Sequence, residues 1–264
     1  MPSQAIGIFD SGIGGLSVAR AIIELLPSES LLYFGDTARV PYGTKSAETI
    51  RQYSLDISRF LIESGCKAIV VACNTASAAA LGTLRETWPD TPIVGMEPAV
   101  KPGANATRTG VVGVLATAGT FQSQRYSTLM QRYASDVTLL ENPCIGLVEQ
   151  IEAGELDTAT TRRLLEDILQ PMLQQQADTF VLGCTHYPFV APLIQEIIGS
   201  GRTLINPAPA VARQLSRVLQ VHHLLAPPEA IPNHQLFFSG DYSGTEALAK
   251  YMLGGAFPIA PLTL

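Results

Sequence analysis

The chain has 264 residues, 47% hydrophobic, 15% charged and 7% aromatic, with a formal net charge of −6. That composition supplies one large apolar core or two smaller ones and excludes a disordered chain. The scattered Lys and Arg offer no basic field for nucleic acid, no apolar run reaches the roughly 18–20 residues of a membrane span, and MPSQAIGIFD has no basic stretch before a long apolar one, so the expectation is a cytoplasmic protein with neither partner.

In chain order, nearly continuous apolar runs fall at 5–9, 31–34, 68–72, 92–96, 111–115, 137–141, 179–183, 203–206 and 235–239. Segments of helical spacing lie between them at 46–64, 75–88, 120–133, 158–176 and 207–222. Runs apolar at every position belong to strands covered by helices on both sides, so the fold class is α/β with mostly parallel sheets. Pro171 is expected to kink or end its helix.

Two motifs recur. GIFDSGIGGLS (7–17) and GVLATAGTFQS (113–123) share the order strand, small hydroxylated turn, helix, and AIVVACNTASAAA (68–80) and TFVLGCTHYPFVA (179–191) both put a Cys at a strand's carboxyl end. The chain therefore reads as two pseudo-symmetric halves. The Pro/Gly-rich segment 97–110 and INPAPA (205–210) serve as crossovers. They predict a discontinuous domain, 1–97 plus 207–264, carrying Asp10 and Cys73, around an inserted domain, 98–206, carrying Cys184 and His186. Ligands of open α/β sheets bind at the carboxyl ends of strands, which brings both cysteines to one cleft between the halves.

Four cysteines, Cys66, Cys73, Cys144 and Cys184, stand far apart with no C-x-x-C pair and no zinc spacing, so neither disulfide nor metal site is expected. A thiol at a strand-to-helix junction meets unpaired N–H groups that lower its pKa from about 8.5. A buried inert thiol is the ordinary reading of one such cysteine, and it is retained for Cys66 and Cys144. The matched contexts of Cys73 and Cys184 favour function. Two opposed thiols with no cofactor suit proton abstraction from one face of a carbon and delivery to the other, which is racemisation or epimerisation.

Donors for a substrate carboxylate are available at the turns in Ser11, Asn74, Thr75, Thr117, Thr120 and Thr185, each of which could equally cap a helix. Asp10 ends the first strand and can bind an ammonium or hydrogen-bond a thiol. His186 falls two residues after Cys184, where extended chain would point both side chains the same way, as a general acid or as a satisfied core histidine. His222, His223 and His234 read as ordinary surface or linker residues. Asp36, before VPYG (40–43), either orients the site or caps a turn.

At FDSGIGGLSV (9–18), GDTARVPYG (35–43), VACNTASA (71–78) and LGCTHYP (182–188) the chain resembles the glutamate racemases of the aspartate/glutamate racemase superfamily, over essentially its whole length. The resemblance implies that Cys73 acts on the D enantiomer with Asp10 behind it and Cys184 on the L enantiomer with His186. Asp36 and Glu152 look like the family's other acidic site residues, although Glu149 and Glu155 compete with Glu152 and all three fit a solvated helix face. Asp10, Ser11, Pro41, Tyr42, Gly43, Asn74, Thr75, Thr117, Thr120, Thr185 and His186 look like substrate contacts. The family further implies supply of D-glutamate for peptidoglycan and a homodimer.

Three other readings stand beside this one. A dinucleotide site fails at its fingerprint, since Ser17 stands where the third glycine belongs and Asp10 opposes a pyrophosphate. A cysteine hydrolase using Cys184 and His186 leaves Cys73 without a role. A purely binding or structural protein with an amino-acid cleft is the third, and full function with both thiols alkylated would support it. Aspartate is the competing substrate, because side-chain length is read by cleft dimensions.

Overall fold

The computed structural model describes residues 4–240, 244–255 and 257–264. Strands β1 (Ile6–Asp10), β2 (Leu31–Gly35), β3 (Ala68–Val71) and β4 (Ile93–Gly95) come first. β5 (Val111–Leu115), β6 (Thr138–Asn142), β7 (Thr179–Leu182) and β8 (Thr203–Ile205) follow, and β9 (Gln235–Phe238) and β10 (Ile259–Pro261) come last. They form two sheets, ordered β10-β9-β2-β1-β3-β4 and β6-β5-β7-β8, with the described pairs all parallel. The order β2-β1-β3-β4 recurs as β6-β5-β7-β8, so the repetition in the sequence is a repetition of topology.

The helices are α1 (Leu16–Leu25), α2 (Ala47–Glu63), α3 (Asn74–Thr87), α4 (Val100–Ala106), α5 (Ala118–Phe121), α6 (Gln124–Tyr133), α7 (Leu147–Glu152), α8 (Ala159–Gln174), α9 (Ala191–Ile198), α10 (Ala208–Val221) and α11 (Thr245–Leu253). Side-chain caps start several of them: Ser46 accepts from Thr49 N at 3.1 Å at the head of α2, and Thr158 accepts from Thr161 N at 3.3 Å at the head of α8. β1 and β3 are buried at every position, as strands covered on both faces must be.

One apolar face of the first sheet packs Phe9, Phe34, Ile69 and Val71 among the helices that include α2 and α3, and an outer face of the second packs Val112, Val114 and Val181. The largest apolar cluster contains residues of both sheets, Ile8 and Tyr33 of the first and Leu115 and Phe180 of the second, together with Ile13, Leu16, Leu147, Ile151 and Tyr187 from the turns and helices between them. This shared core fixes the carboxyl ends of β1 and β3 opposite the carboxyl end of β7.

Several expectations change. The helix expected over 120–133 is two, because Ser123 accepts from Tyr126 N at 3.2 Å and caps a new helix there. Pro171 neither ends α8 nor stops its last turn, which runs on to Gln174. So close to the helix end, a missing N–H at Pro171 frees a single carbonyl, and the turn beyond it is closed by Gln175 N and Ala177 N reaching Met172 O at 3.2 and 3.1 Å. The crossover 97–110 contains the short helix α4.

Candidate active site

Cys73 stands between β3 and α3 and is itself the helix cap: its Sγ accepts from Ala76 N at 3.4 Å and lies 3.9 Å from Ser11 Oγ. The expected depression of its pKa is overturned. Burial, followed by the charge of Asp10, pushes the Cys73 thiol up to about 12 despite the Ala76 N–H, with Cys184 adding to the rise. The helix terminus supplies one hydrogen bond, and desolvation of the thiolate outweighs it.

Cys184 follows β7 and Gly183 but does not begin an α-helix. A turn through His186 (φ −73°, ψ −34°) leads into the 3₁₀ segment Tyr187–Val190 before α9 starts. The chain at His186 is thus not extended, yet the turn still brings His186 Nδ1 to 3.6 Å from Cys184 Sγ. The contact expected from strand alternation exists for a different reason.

Behind this pair, His186 Nε2 meets Glu152 Oε1 at 2.6 Å, and the same oxygen accepts from Ile13 N at 3.0 Å. Burial pulls the His186 imidazolium down, but its bonds to Cys184 and Glu152 outweigh that, and its pKa rises well above 6.5. Glu149 and Glu155 are exposed, so the geometry selects Glu152 from the three.

Asp10 is fully buried at the end of β1, with Oδ1 accepting from Gly12 N and Oδ2 from the Thr185 hydroxyl, both at 3.1 Å. Burial raises its pKa, opposed by the nearby His186 and by these two donors. Asp36 accepts from the Tyr42 hydroxyl and from Ser239 Oγ at 2.7 Å. It reaches the cleft through Tyr42 and is not part of its lining.

A cleft between the halves is lined by Ser11, Pro41, Tyr42, Gly43, Cys73, Asn74, Thr75, Thr117, Val148, Gly183, Cys184, Thr185 and His186. Both thiols therefore face one cavity. Of the residues singled out in the sequence, Asp10, Asp36, Glu152 and Thr120 stand behind this lining. Thr120 joins it through Thr75 and Thr117, whose hydroxyls are 2.9 Å apart, with Thr117 and Thr120 at 3.1 Å. Among the described residues neither oxygen nor nitrogen of the buried Asn74 amide has a partner, and Thr117 caps nothing through its side chain. The capping alternative fails for these two residues; the Asn74 amide remains for a ligand, while the Thr117 hydroxyl belongs to the chain of threonine hydroxyls.

Val148 and Gly183 line the cleft and were not anticipated. Val148 looked like any apolar position of a helix; Gly183 lay inside LGCTHYP and its position one residue before Cys184 was a usable signal. Cys66 and Cys144 stay outside the lining, and burial raises each to about 12. His222 and His223 are exposed, while His234 is half-buried against the Phe257 ring.

The glycine-rich turn after β1 has a use unrelated to phosphate. A Cβ on Gly12 would lie 2.0 Å from Glu152 Oε1, and one on Gly14 would lie 2.6 Å from both His186 Nδ1 and Thr185 Oγ1. These glycines let the turn touch the Cys184 group directly. Gly12→Ala is expected to lower kcat at least tenfold, because the methyl must expel the Glu152 carboxylate from His186; steady-state rates alongside an unchanged far-UV spectrum check it.

Among the described residues no group of three His, Cys, Asp or Glu side chains is placed to hold a metal ion, and no helix is long and apolar enough to cross a membrane.

A family model described as Asp/Glu/Hydantoin racemase matches residues 6–215. The chain is 53% identical over 253 residues, 96% of each sequence, to a glutamate racemase of Ectopseudomonas mendocina (strain ymp). Among solved structures it superposes on a glutamate racemase isoform of Bacillus anthracis with a TM-score of 0.89 at 35% identity, covering 100% of this chain and 99% of that one. The glutamate racemase of Francisella tularensis, solved in complex with D-glutamate, gives 0.86 at 29% identity over 100% and 98%. With two parallel sheets repeating one topology and a matched model spanning both, the chain belongs to the Asp/Glu/Hydantoin racemase family.

Proposed function

We propose that the chain interconverts L- and D-glutamate, with Cys73 and Cys184 as the two proton-transfer groups and no cofactor. The observation that carries this is the single cleft lined by both thiols. In the D-to-L direction the Cys73 thiolate takes the Cα proton, and the electron pair left on carbon delocalises into the substrate carboxylate. Cys184 S–H then delivers its proton to the opposite face. Each turnover leaves Cys73 protonated and Cys184 ionised, which is the form that accepts the L enantiomer.

Cα–H is a weak acid, so a strong base is needed. The burial and the Asp10 charge that raise the Cys73 thiol also make its thiolate strongly basic, and an arriving ammonium group favours ionisation. His186, held by Glu152, balances charge at Cys184. The free amide of Asn74 and the Thr75 and Thr117 hydroxyls are the donors placed for the carboxylate on which charge develops. Asp36 orients Tyr42.

The same reading divides the chain into domains 1–97 plus 207–264 and 98–206, supported by α1 packing on both α10 and α11. It makes the protein a cytoplasmic homodimer that supplies D-glutamate for peptidoglycan.

The test is incubation with each enantiomer of glutamate and of aspartate in deuterated water. Inversion of glutamate with deuterium at Cα is expected; inversion of aspartate alone would replace the substrate, and silence on both would remove the racemase reading.

A further inference from the structure

The cleft encloses about 10 Å³ of free space, room for roughly one water. Glutamate reaches the thiols only when the two halves part, so the contacts holding them together enter the binding equilibrium. One of these belongs to a residue with no part in the chemistry above. Ser17, in the first turn of α1, is 5% exposed, and its Oγ lies 2.8 Å from Gly14 O and 3.0 Å from Thr185 O. The first carbonyl is on its own half; the second is on the Cys184 half, between Cys184 and His186.

A hydroxyl has one proton to donate. Gly14 O already accepts from Ser17 N at 3.0 Å, whereas no backbone N–H among the described residues reaches Thr185 O. In the closed form the proton is therefore of most use to Thr185 O, a carbonyl of a residue 2% exposed. When the halves separate, water takes over Thr185 O, and the Ser17 hydroxyl turns back to Gly14 O within its own helix. Neither state leaves a buried polar group unpaired.

On the racemase reading, we propose that Ser17 is a positioning residue: its hydroxyl latches the Cys184–Thr185–His186 turn onto the half that carries Cys73, favouring the closed, substrate-holding form. It acts beside Asp10, which grips the same residue through the Thr185 hydroxyl. Asp10 fixes the side chain of Thr185, and Ser17 fixes its backbone.

Ser17→Ala tests this, and alanine suits a helix, so α1 is retained. In the variant, closure strands Thr185 O without a donor, while the open form loses only a second donor to Gly14 O, which still accepts from the backbone N–H of residue 17. KM for both enantiomers is expected to rise about five- to tenfold, the weight of one hydrogen bond, with kcat within about twofold. Saturating glutamate should raise Tm less than in the wild type. Ser54→Ala serves as control, since the Ser54 hydroxyl bonds Ile50 O at 2.8 Å inside α2, and its KM should not move. An unchanged KM in Ser17→Ala, or a fall in kcat alone, would overturn the latch. Wild-type protein silent on glutamate would instead overturn the racemase reading, and the latch with it.

Discussion

Replacing Cys73 or Cys184 with alanine is expected to lower kcat for racemisation by at least about 10³-fold from either enantiomer, near the upper range for loss of a general acid or base. Each direction needs one thiol to take a proton and the other to supply one, so either loss stops both. The variants should differ in what remains. Cys73→Ala keeps the base that faces L-glutamate and should wash deuterium slowly into L-glutamate without inversion, limited by exchange at a monoprotic thiol. Cys184→Ala should do the same with D-glutamate. Circular dichroism follows inversion and mass follows deuterium. Because the Cys73 sulfur caps α3, its removal also costs up to about 1 kcal/mol of stability, and a Tm measurement separates that from catalysis. Inversion surviving in either variant ends the two-base scheme.

The positions of strands at 6–10, 68–71, 111–115 and 179–182 were legible because strands buried on both faces are written as unbroken apolar runs. The placement of both cysteines followed, since it depends only on where those runs stop. Burial was not legible, and burial decides the sign at Cys73: the helix end was visible in A-C-N-T, but the desolvation that overrides it comes from the whole fold. Glu152 could not be told from Glu149 and Glu155 for the same reason, because its distinguishing contacts, His186 and Ile13 N, lie 34 and 139 residues away. The three-residue strand β10 exists by pairing along the edge of β9, and α9 and α11 are short; none has a run long enough to announce itself. Ser17 carried no signal at all, being one small residue in an amphipathic helix until its partner across the cleft is known.

Glu152→Gln is expected to lower kcat about ten- to a hundredfold at pH 8 and to move the alkaline limb of the pH profile downward. The amide oxygen can still accept from Ile13 N and from His186 Nε2, so shape is kept and charge is lost. In the wild type two effects oppose each other at His186: burial pulls the imidazolium down, and Cys184 and Glu152 hold it up and win. Without the carboxylate the balance shifts toward burial, and His186 gives up its proton at lower pH. The sign for stability follows from the raised value. His186 contributes fully below its unfolded pKa of about 6.5, and that contribution is lost as pH rises through the higher folded value. The variant should therefore unfold at lower urea than the wild type at pH 6, with the gap closing as pH rises. If kcat falls while the alkaline limb stays in place, the His186 charge is not what Glu152 supplies. The deficit then comes from the turn that Glu152 holds through Ile13 N.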